Sequence, residues 1–146
     1  MTKLRKNANR KGAVIVETAL VLPVFVLVSF GIIEFGRAMM VSQVITSSAR
    51  EGARLAVLTG STNAQVEQAI KDFLEEAIGV APAQVSVTIT VTPAPGNPSA
   101  GNEVGNAMRG DLCAVSVGVP FDEVEYITAM YLGGKTLAGY NAMRHE

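Results

Sequence analysis

The sequence predicts an α+β fold, in which a long N-terminal transmembrane helix continues into a small extracytoplasmic head with a second helix and a three-stranded antiparallel sheet. An unbroken apolar run, a later stretch of apolar residues at helical spacing and a segment of strict apolar–polar alternation predict these elements. We divide the chain into a basic cytoplasmic leader (1–12), a transmembrane helix (13–33), an extracytoplasmic continuation of that helix (34–60) and an α+β head (61–146).

Charge is distributed unevenly along the chain. The first twelve residues carry none of the thirteen Asp and Glu residues, and they carry five of the twelve basic ones: Lys3, Arg5, Lys6, Arg10 and Lys11. A basic tail can bind nucleic acid, but no interleaved aromatic residues or recognition motif accompany this one, so we expect no nucleic-acid partner. Because basic residues beside an apolar span stay on the cytoplasmic side, we expect everything after Ile33 to lie outside the cytoplasm.

The apolar run is long enough to cross a bilayer. Residues 13–33 reach roughly 30 Å at helical rise, which equals the thickness of the hydrocarbon core. Only Glu17, Thr18 and Ser29 interrupt the run. A cleavable secretory signal is the competing interpretation, but its apolar region is usually about 7 to 15 residues and ends at a small-residue cleavage site. We therefore expect a single-pass protein of the cytoplasmic (inner) membrane.

Pro23 lies inside this run. Its ring leaves the carbonyl of Ala19 without a helical donor and predicts a kink. Thr18 or neighbouring helices are expected to satisfy that carbonyl. A weak point would help a subunit that has to leave the bilayer, although many spans simply tolerate proline.

The helix is expected to continue outside the membrane as far as Gly60. An inward stripe is predicted at Met39, Ile45, Ala49, Ala53 and Ala56. Small residues recur at i, i+4 and i+8 and would let another helix approach closely: Ser48, Gly52 and Ala56. The approaching element is either this chain's own sheet or a helix of a partner, and the spacing alone leaves both open.

The head begins with a helix whose start and end are marked. Thr62 and Gln65 have the spacing of a capping box, and Gly79 followed by Pro82 ends the helix. Strands are predicted at residues 85–91, 112–119 and 135–144, a long mobile loop at 93–106, and a short helix at 121–132. On the second strand, one face is predicted to hold Cys113, Val115, Val117 and Val119.

The head offers little catalytic chemistry. The chain has one cysteine, Cys113, which reads as a small core residue, and one histidine, His145, two positions from the end of the sequence. These exclude the usual His/Cys metal sites and nucleophile–base pairs, so we expect no enzyme, metal, cofactor or small-molecule substrate. The acids Asp122, Glu123 and Glu125 are interpreted as a solvated face rather than a calcium site.

The combination of basic leader, Gly12, apolar run and Glu17 five positions after the glycine resembles the prepilin processing motif of type IV pilins. That resemblance implies that a membrane peptidase cuts between Gly12 and Ala13. The carboxylate of Glu17 would then compensate the new amine of Ala13, in its own chain or in a neighbouring subunit, and so set the register between packed helices. Alternatively, Glu17 lies near the headgroups and simply reaches water.

Three longer segments narrow the resemblance. "GAVIVETALVLPVFVLVSFGIIEFGRAMM", "AREGARLAVLTGSTN" and the final "AMRHE" are similar to the TadE-like family of tight-adherence (Tad) pilus assembly proteins. The family implies a pseudopilin, a minor pilin-like subunit, with a prepilin peptidase, other pilin-like subunits and pilus assembly proteins as its partners, besides the membrane. Thr18 departs from the aromatic residue that commonly follows the family's glutamate. Some relatives stay uncleaved, so a permanently anchored docking module is the alternative.

Overall fold

The computed structural model describes residues 5–126 and 129–146, and their side chains from residue 12 onward. Lys3 and the side chains of Arg5, Lys6, Arg10 and Lys11 therefore lie outside the described part. The elements are a long helix, a second helix and three strands: α1 (Arg5–Ala56), α2 (Asn63–Ile78), β1 (Ser86–Thr92), β2 (Leu112–Pro120) and β3 (Thr136–Arg144). The predicted α+β class and its three-stranded antiparallel sheet are confirmed.

Helix α1 runs without a break through the apolar segment and includes Pro23. The two hydroxyl side chains of this segment are satisfied by their own helix. Thr18 Oγ1 donates to the carbonyl of Val14 at 2.9 Å, and Ser29 Oγ donates to that of Phe25 at 2.8 Å. The expectation that Thr18 serves the carbonyl freed by Pro23 is therefore wrong, because its hydroxyl points one turn toward the N-terminus.

The second half of α1 is the central element of the core. Its inward stripe is fully or almost fully buried: Ala38, Val41, Ile45, Ala49, Ala53 and Ala56. Met39, which the sequence pattern placed on this stripe, is exposed. The helix also ends at Ala56 rather than at Gly60, which adopts a positive φ of 88° in the turn that follows. The continuation of the helix is thus part of the head.

The sheet lies against α1 in the order β1-β2-β3, and both pairs of neighbours are antiparallel. Ile89 of β1 faces Val115, which in turn faces Asn141 of β3. The predicted inward face of β2 is completely buried: Cys113, Val115, Val117 and Val119. Burial raises the pKa of the Cys113 thiol, and the nearby carboxylate of Asp111 raises it further. Cys113 therefore behaves as a core residue.

Helix α2 packs beside α1 and has the ends that the sequence predicts. Thr62 Oγ1 accepts the backbone N–H of Gln65, and the Gln65 side chain accepts that of Thr62. Gly79 closes the helix at a left-handed φ of 73°. On the outer face, Lys71 Nζ lies 2.6 Å from Glu67 Oε1, as expected for an i, i+4 pair.

The loop between β1 and β2 is held by Asp111, which no sequence pattern singles out. Its buried carboxylate accepts the backbone N–H groups of Ala94 and Met108, both at 2.8 Å, and the side-chain amide of Asn97 at 2.6 Å. These hydrogen bonds hold the pKa of Asp111 below its ordinary value. The two ends of the predicted long loop are thus tied to the start of β2.

Two glycines set how closely the layers approach. A Cβ at Gly139 of β3 would lie 2.9 Å from the backbone of Ile45 and Thr46 in α1. A Cβ at Gly52 of α1 would lie 2.5 Å from the end of the Ile70 side chain in α2. Only a residue without a side chain lets the strand rest directly on the helix backbone.

Candidate functional site

The segment with the predicted processing site is fully exposed. Gly12, Ala13 and Glu17 lie on one continuous helix, and the Glu17 Cα is about 6 Å along the axis from that of Ala13. Within the described side chains, nothing comes within 4 Å of a Cβ built at Gly12. Glycine inside a helix costs roughly 0.5–1 kcal/mol relative to alanine. Packing within the described chain therefore does not account for this glycine.

Glu17 projects from the same exposed surface. Among the residues whose side chains are described, it forms no hydrogen bond or ion pair within the chain. Val14, Thr18, Val21 and other residues along one side of the helix surround it in a shallow, open groove. No described side chain therefore occupies the carboxylate, and a group from outside the chain can approach it across the open groove.

Most of the apolar part of α1 is exposed. Every residue from 12 to 28 is exposed, although the segment is dominated by Val, Leu, Ile and Phe. In the described part of the chain, α1 alone is long and apolar enough to cross a membrane, with a mean hydropathy of 2.4. So large a continuous apolar surface needs lipid or other helices to cover it.

The small residues of α1 are placed inside the head. Ser48 and Ala56 are buried, and Gly52 lies against Ile70 of α2. The hydroxyl of Ser48 is satisfied by the carbonyl of Ile45 at 2.8 Å. The close approach that their spacing permits is therefore made by this chain's own α2 and sheet.

A charged side chain directly after the apolar run holds a loop of the head. Glu34, 8% exposed, accepts the backbone N–H of Met130 at 3.1 Å and that of Tyr131 at 3.0 Å, and it also accepts that of Leu132. Desolvation raises the pKa of Glu34, but the N–H donors of Leu132, Tyr131 and Met130 together outweigh it and hold the pKa below its ordinary value.

One helical turn further on, Arg37 holds the preceding part of the same connection. Its Nε donates to the carbonyl of Val124 at 2.8 Å, and its Nη1 donates to the Tyr126 hydroxyl at 3.0 Å. The guanidinium carbon also lies 4.2 Å from the centre of the Tyr126 ring, in a cation–π contact. We call Glu34 and Arg37 together the clasp.

The clasp explains why one sequence prediction is wrong. The short helix expected over 121–132 is reduced to a single 3-10 turn at Phe121–Glu123. Three successive N–H groups of this segment bond to Glu34, so they cannot bond to carbonyls of their own helix. Ile127 and Thr128 lie outside the described residues.

Two neighbouring acids also accept hydrogen bonds from backbone N–H groups. Asp122 accepts the N–H of Gly134, and Glu125 accepts that of Ala129.

We expect Glu34→Gln to release the loop at Met130–Leu132, because an amide offers one acceptor oxygen where the carboxylate offers two. Backbone hydrogen exchange at Met130, Tyr131 and Leu132 should speed up by about tenfold or more at neutral pH. Glu51→Gln is the matched control, since Glu51 is an exposed carboxylate on the same helix. Equal exchange in both variants would show that Glu34 does not hold the loop.

The same contact predicts a loss of stability in acid. Because the pKa of Glu34 is lower in the folded chain than its ordinary value of 4.5, the stabilisation is complete above that value and disappears as the pH falls through the lowered pKa. The wild-type chain should therefore approach the Glu34→Gln variant in hydrogen exchange and in melting temperature as the pH falls below 4.5.

The sequence patterns considered above single out none of Glu34, Arg37 and Asp111. The one available signal was the placement of two opposite charges at i, i+3 directly after the run. Their partners lie about 90 residues away, mostly on backbone atoms, which leave no trace in the side-chain pattern.

The comparisons with known proteins bear on the helix that carries these sites. The family model described as TadE-like protein matches residues 12–54. Searches of curated proteins and of solved structures give no significant match. The matched segment starts at Gly12 and includes the exposed apolar surface, Glu17, the clasp and most of the buried stripe of α1. Over residues 12–54 the chain is thus similar to the TadE-like family, as its sequence motifs predict.

Proposed function

We propose that the protein is a pseudopilin-like minor subunit that takes part in the assembly of a Tad-type pilus. The observation that carries this proposal is the exposed apolar helix of residues 12–28, with one exposed carboxylate at Glu17, on the segment that matches the TadE-like family. In the membrane, lipid covers this surface; in an assembly, the corresponding helices of other pilin-like subunits cover it. A surface that serves both states has to stay exposed along its length, and every residue from 12 to 28 is exposed.

The basic leader supports a single-pass orientation in the cytoplasmic membrane, with the N-terminus in the cytoplasm and the head outside. A prepilin peptidase would then remove the leader by cutting between Gly12 and Ala13. Gly12 supports this step, since the described chain has no packing reason for a glycine there and since a residue without a side chain suits a narrow cleft. The amine of Ala13 would face a neighbouring subunit's Glu17.

A second function is favoured by one observation. The backbone is helical on both sides of the Gly12–Ala13 bond, because α1 already begins at Arg5. A peptidase would have to unwind this region before cutting. A protein that is never cut would remain a permanent anchor, with its head as a docking module for assembly proteins outside the membrane.

The N-terminus of the protein in its own membrane separates the two functions. We expect mass spectrometry of the purified protein to find Ala13 as the first residue. Gly12→Val should leave a precursor that is longer than the cut form by the twelve leader residues, because the added side chain would not fit the peptidase's cleft. Cells that lack the peptidase are the control and should contain only the precursor. An intact leader on the wild-type chain would favour the permanent anchor.

A further inference from the structure

The head exposes an apolar patch at the end of the membrane-spanning segment. Four large side chains form it, and we call them the collar: Phe35, Tyr126, Met130 and Tyr131. They are exposed by 51%, 71%, 55% and 48%, respectively. The rings of Phe35 and Tyr131 are neighbours, with their centres 6.4 Å apart. Apolar side chains exposed side by side indicate a surface that something else covers.

The collar reaches down beside the apolar run. The hydroxyl of Tyr131 donates to the carbonyl of Leu27 at 3.3 Å. Leu27 precedes Ile33, the end of the apolar run, by six residues, which is about 9 Å along the helix axis. Part of the head therefore lies below the level at which the span was expected to leave the bilayer.

The helix from Ala13 to Leu27 is too short to cross the hydrocarbon core alone, so the level of Leu27 still lies within lipid. From Ala13 to Leu27 the helix rises only about 21 Å, whereas the hydrocarbon core is about 30 Å thick. If the bilayer begins near Ala13, its far boundary lies near Ile33, above the contact of Tyr131 with Leu27. The Tyr131 hydroxyl is then level with lipid, whereas Phe35 and the Arg37 that contacts Tyr126 follow Ile33 by two and four residues, so the collar spans the boundary of the hydrocarbon core.

The backbone N–H groups of the loop at Met130–Leu132 have partners inside the chain. An N–H group without a partner is costly away from water, so a loop close to lipid needs such partners. Glu34 accepts the three N–H groups of Met130, Tyr131 and Leu132. The Tyr131 hydroxyl is satisfied by Leu27, so the side chain can turn its ring to lipid without leaving a polar group unpaired.

We infer that the collar is seated in the lipid of the extracytoplasmic leaflet, at the boundary between headgroups and acyl chains. This inference rests on the membrane anchoring that we propose above. The Tyr131 hydroxyl, about 9 Å below Ile33, lies within the 5–10 Å to which interfacial apolar faces enter a bilayer. Tyrosine is enriched at this level, because its ring is apolar and its hydroxyl is polar. The clasp thus fixes the height and tilt of the head on the membrane.

Single tryptophans can test this directly, since the chain contains none. We compare Met130→Trp in the collar, Phe25→Trp in the span and Tyr140→Trp on the sheet. Tyr140 is the matched exposed control, because its neighbour Gly139 lies against Ile45, about 18 Å above Ile33 along the axis. The full-length variants are placed in phosphatidylcholine–phosphatidylglycerol vesicles that carry spin labels at a shallow or a deep acyl position.

For Met130→Trp we expect an emission maximum at shorter wavelength than for Tyr140→Trp, and several-fold stronger quenching by the shallow label than by aqueous iodide. Phe25→Trp should be quenched by lipid labels, and Tyr140→Trp only by iodide. If Phe25→Trp is quenched by lipid but Met130→Trp responds like Tyr140→Trp, the collar is not in lipid and this inference alone fails. If lipid does not quench Phe25→Trp, the proposed anchoring fails, and the inference fails with it.

Discussion

A single methyl group at Gly139 is expected to destabilise the head by about 3 kcal/mol, near the upper end of the usual cost of overpacking. In Gly139→Ala, the new Cβ would lie 2.9 Å from the carbonyl group of Ile45 and from the N atom of Thr46. These are backbone atoms in the middle of a helix, so they cannot move aside without disturbing α1. Strand β3 would have to lift off the helix and expose the core beneath it.

Two glycines of α1, Gly52 and Gly36, supply graded controls for Gly139 of β3. At Gly52 the new methyl would meet the end of the Ile70 side chain, which can adopt another rotamer, so Gly52→Ala should cost less than Gly139→Ala. At Gly36 nothing lies within 4 Å, and Gly36→Ala should stabilise the helix by roughly 0.5–1 kcal/mol. Denaturant titrations of the full chain in mild detergent, read by pulse proteolysis of the head, measure all three.

If Gly139→Ala destabilises the head most, Gly52→Ala less, and Gly36→Ala stabilises it, β3 rests on the backbone of α1. If Gly139→Ala costs no more than Gly52→Ala, the strand does not pack as closely as the structure has it.

The elements that the sequence predicts well are those with a local cause. The capping box of Thr62 and Gln65, the stop at Gly79 and the buried face of β2 depend on residues within a few positions of each other. The spacing of apolar residues and the presence of capping residues can be recognised directly in the sequence. The fold class follows from these elements, since an amphipathic helix and alternating strands have few ways to bury their apolar faces.

The features that the sequence did not predict depend on partners far along the chain. Glu34 bonds to N–H groups almost 100 positions away, and it thereby prevents the helix that the pattern of residues 121–132 favours. Asp111 likewise draws Ala94 and Met108 together. In both cases a carboxylate meets backbone N–H groups, which every residue but proline possesses, so the partner's identity carries no information. Met39 was misplaced for a simpler reason, because an almost wholly apolar helix has several equally apolar faces.

Glu17→Ala and Glu17→Gln are expected to abolish surface pili in a complemented deletion strain while leaving the protein in the membrane and, if it is processed, normally cut. A carboxylate at the centre of a bilayer costs about 2.5–3.5 kcal/mol on insertion scales, and less toward the surface. Removing the charge therefore makes insertion easier, so a failure of assembly cannot be attributed to lost anchoring. Within the described side chains Glu17 forms no internal contact, and its replacement should leave the head intact.

Glutamine makes the test specific for charge. It keeps the size of Glu17 and its capacity for hydrogen bonds, yet it cannot neutralise the amine of Ala13 on a neighbouring subunit. An amine left unpaired among packed helices would penalise the register that the pair fixes, so we expect glutamine to be nearly as damaging as alanine. Thr18→Ala is the matched control, because the Thr18 hydroxyl bonds only to its own helix at Val14 among the described residues. Normal piliation in both Glu17 variants, at protein levels equal to those of Thr18→Ala, would show that Glu17 is an interfacial carboxylate without a role in register.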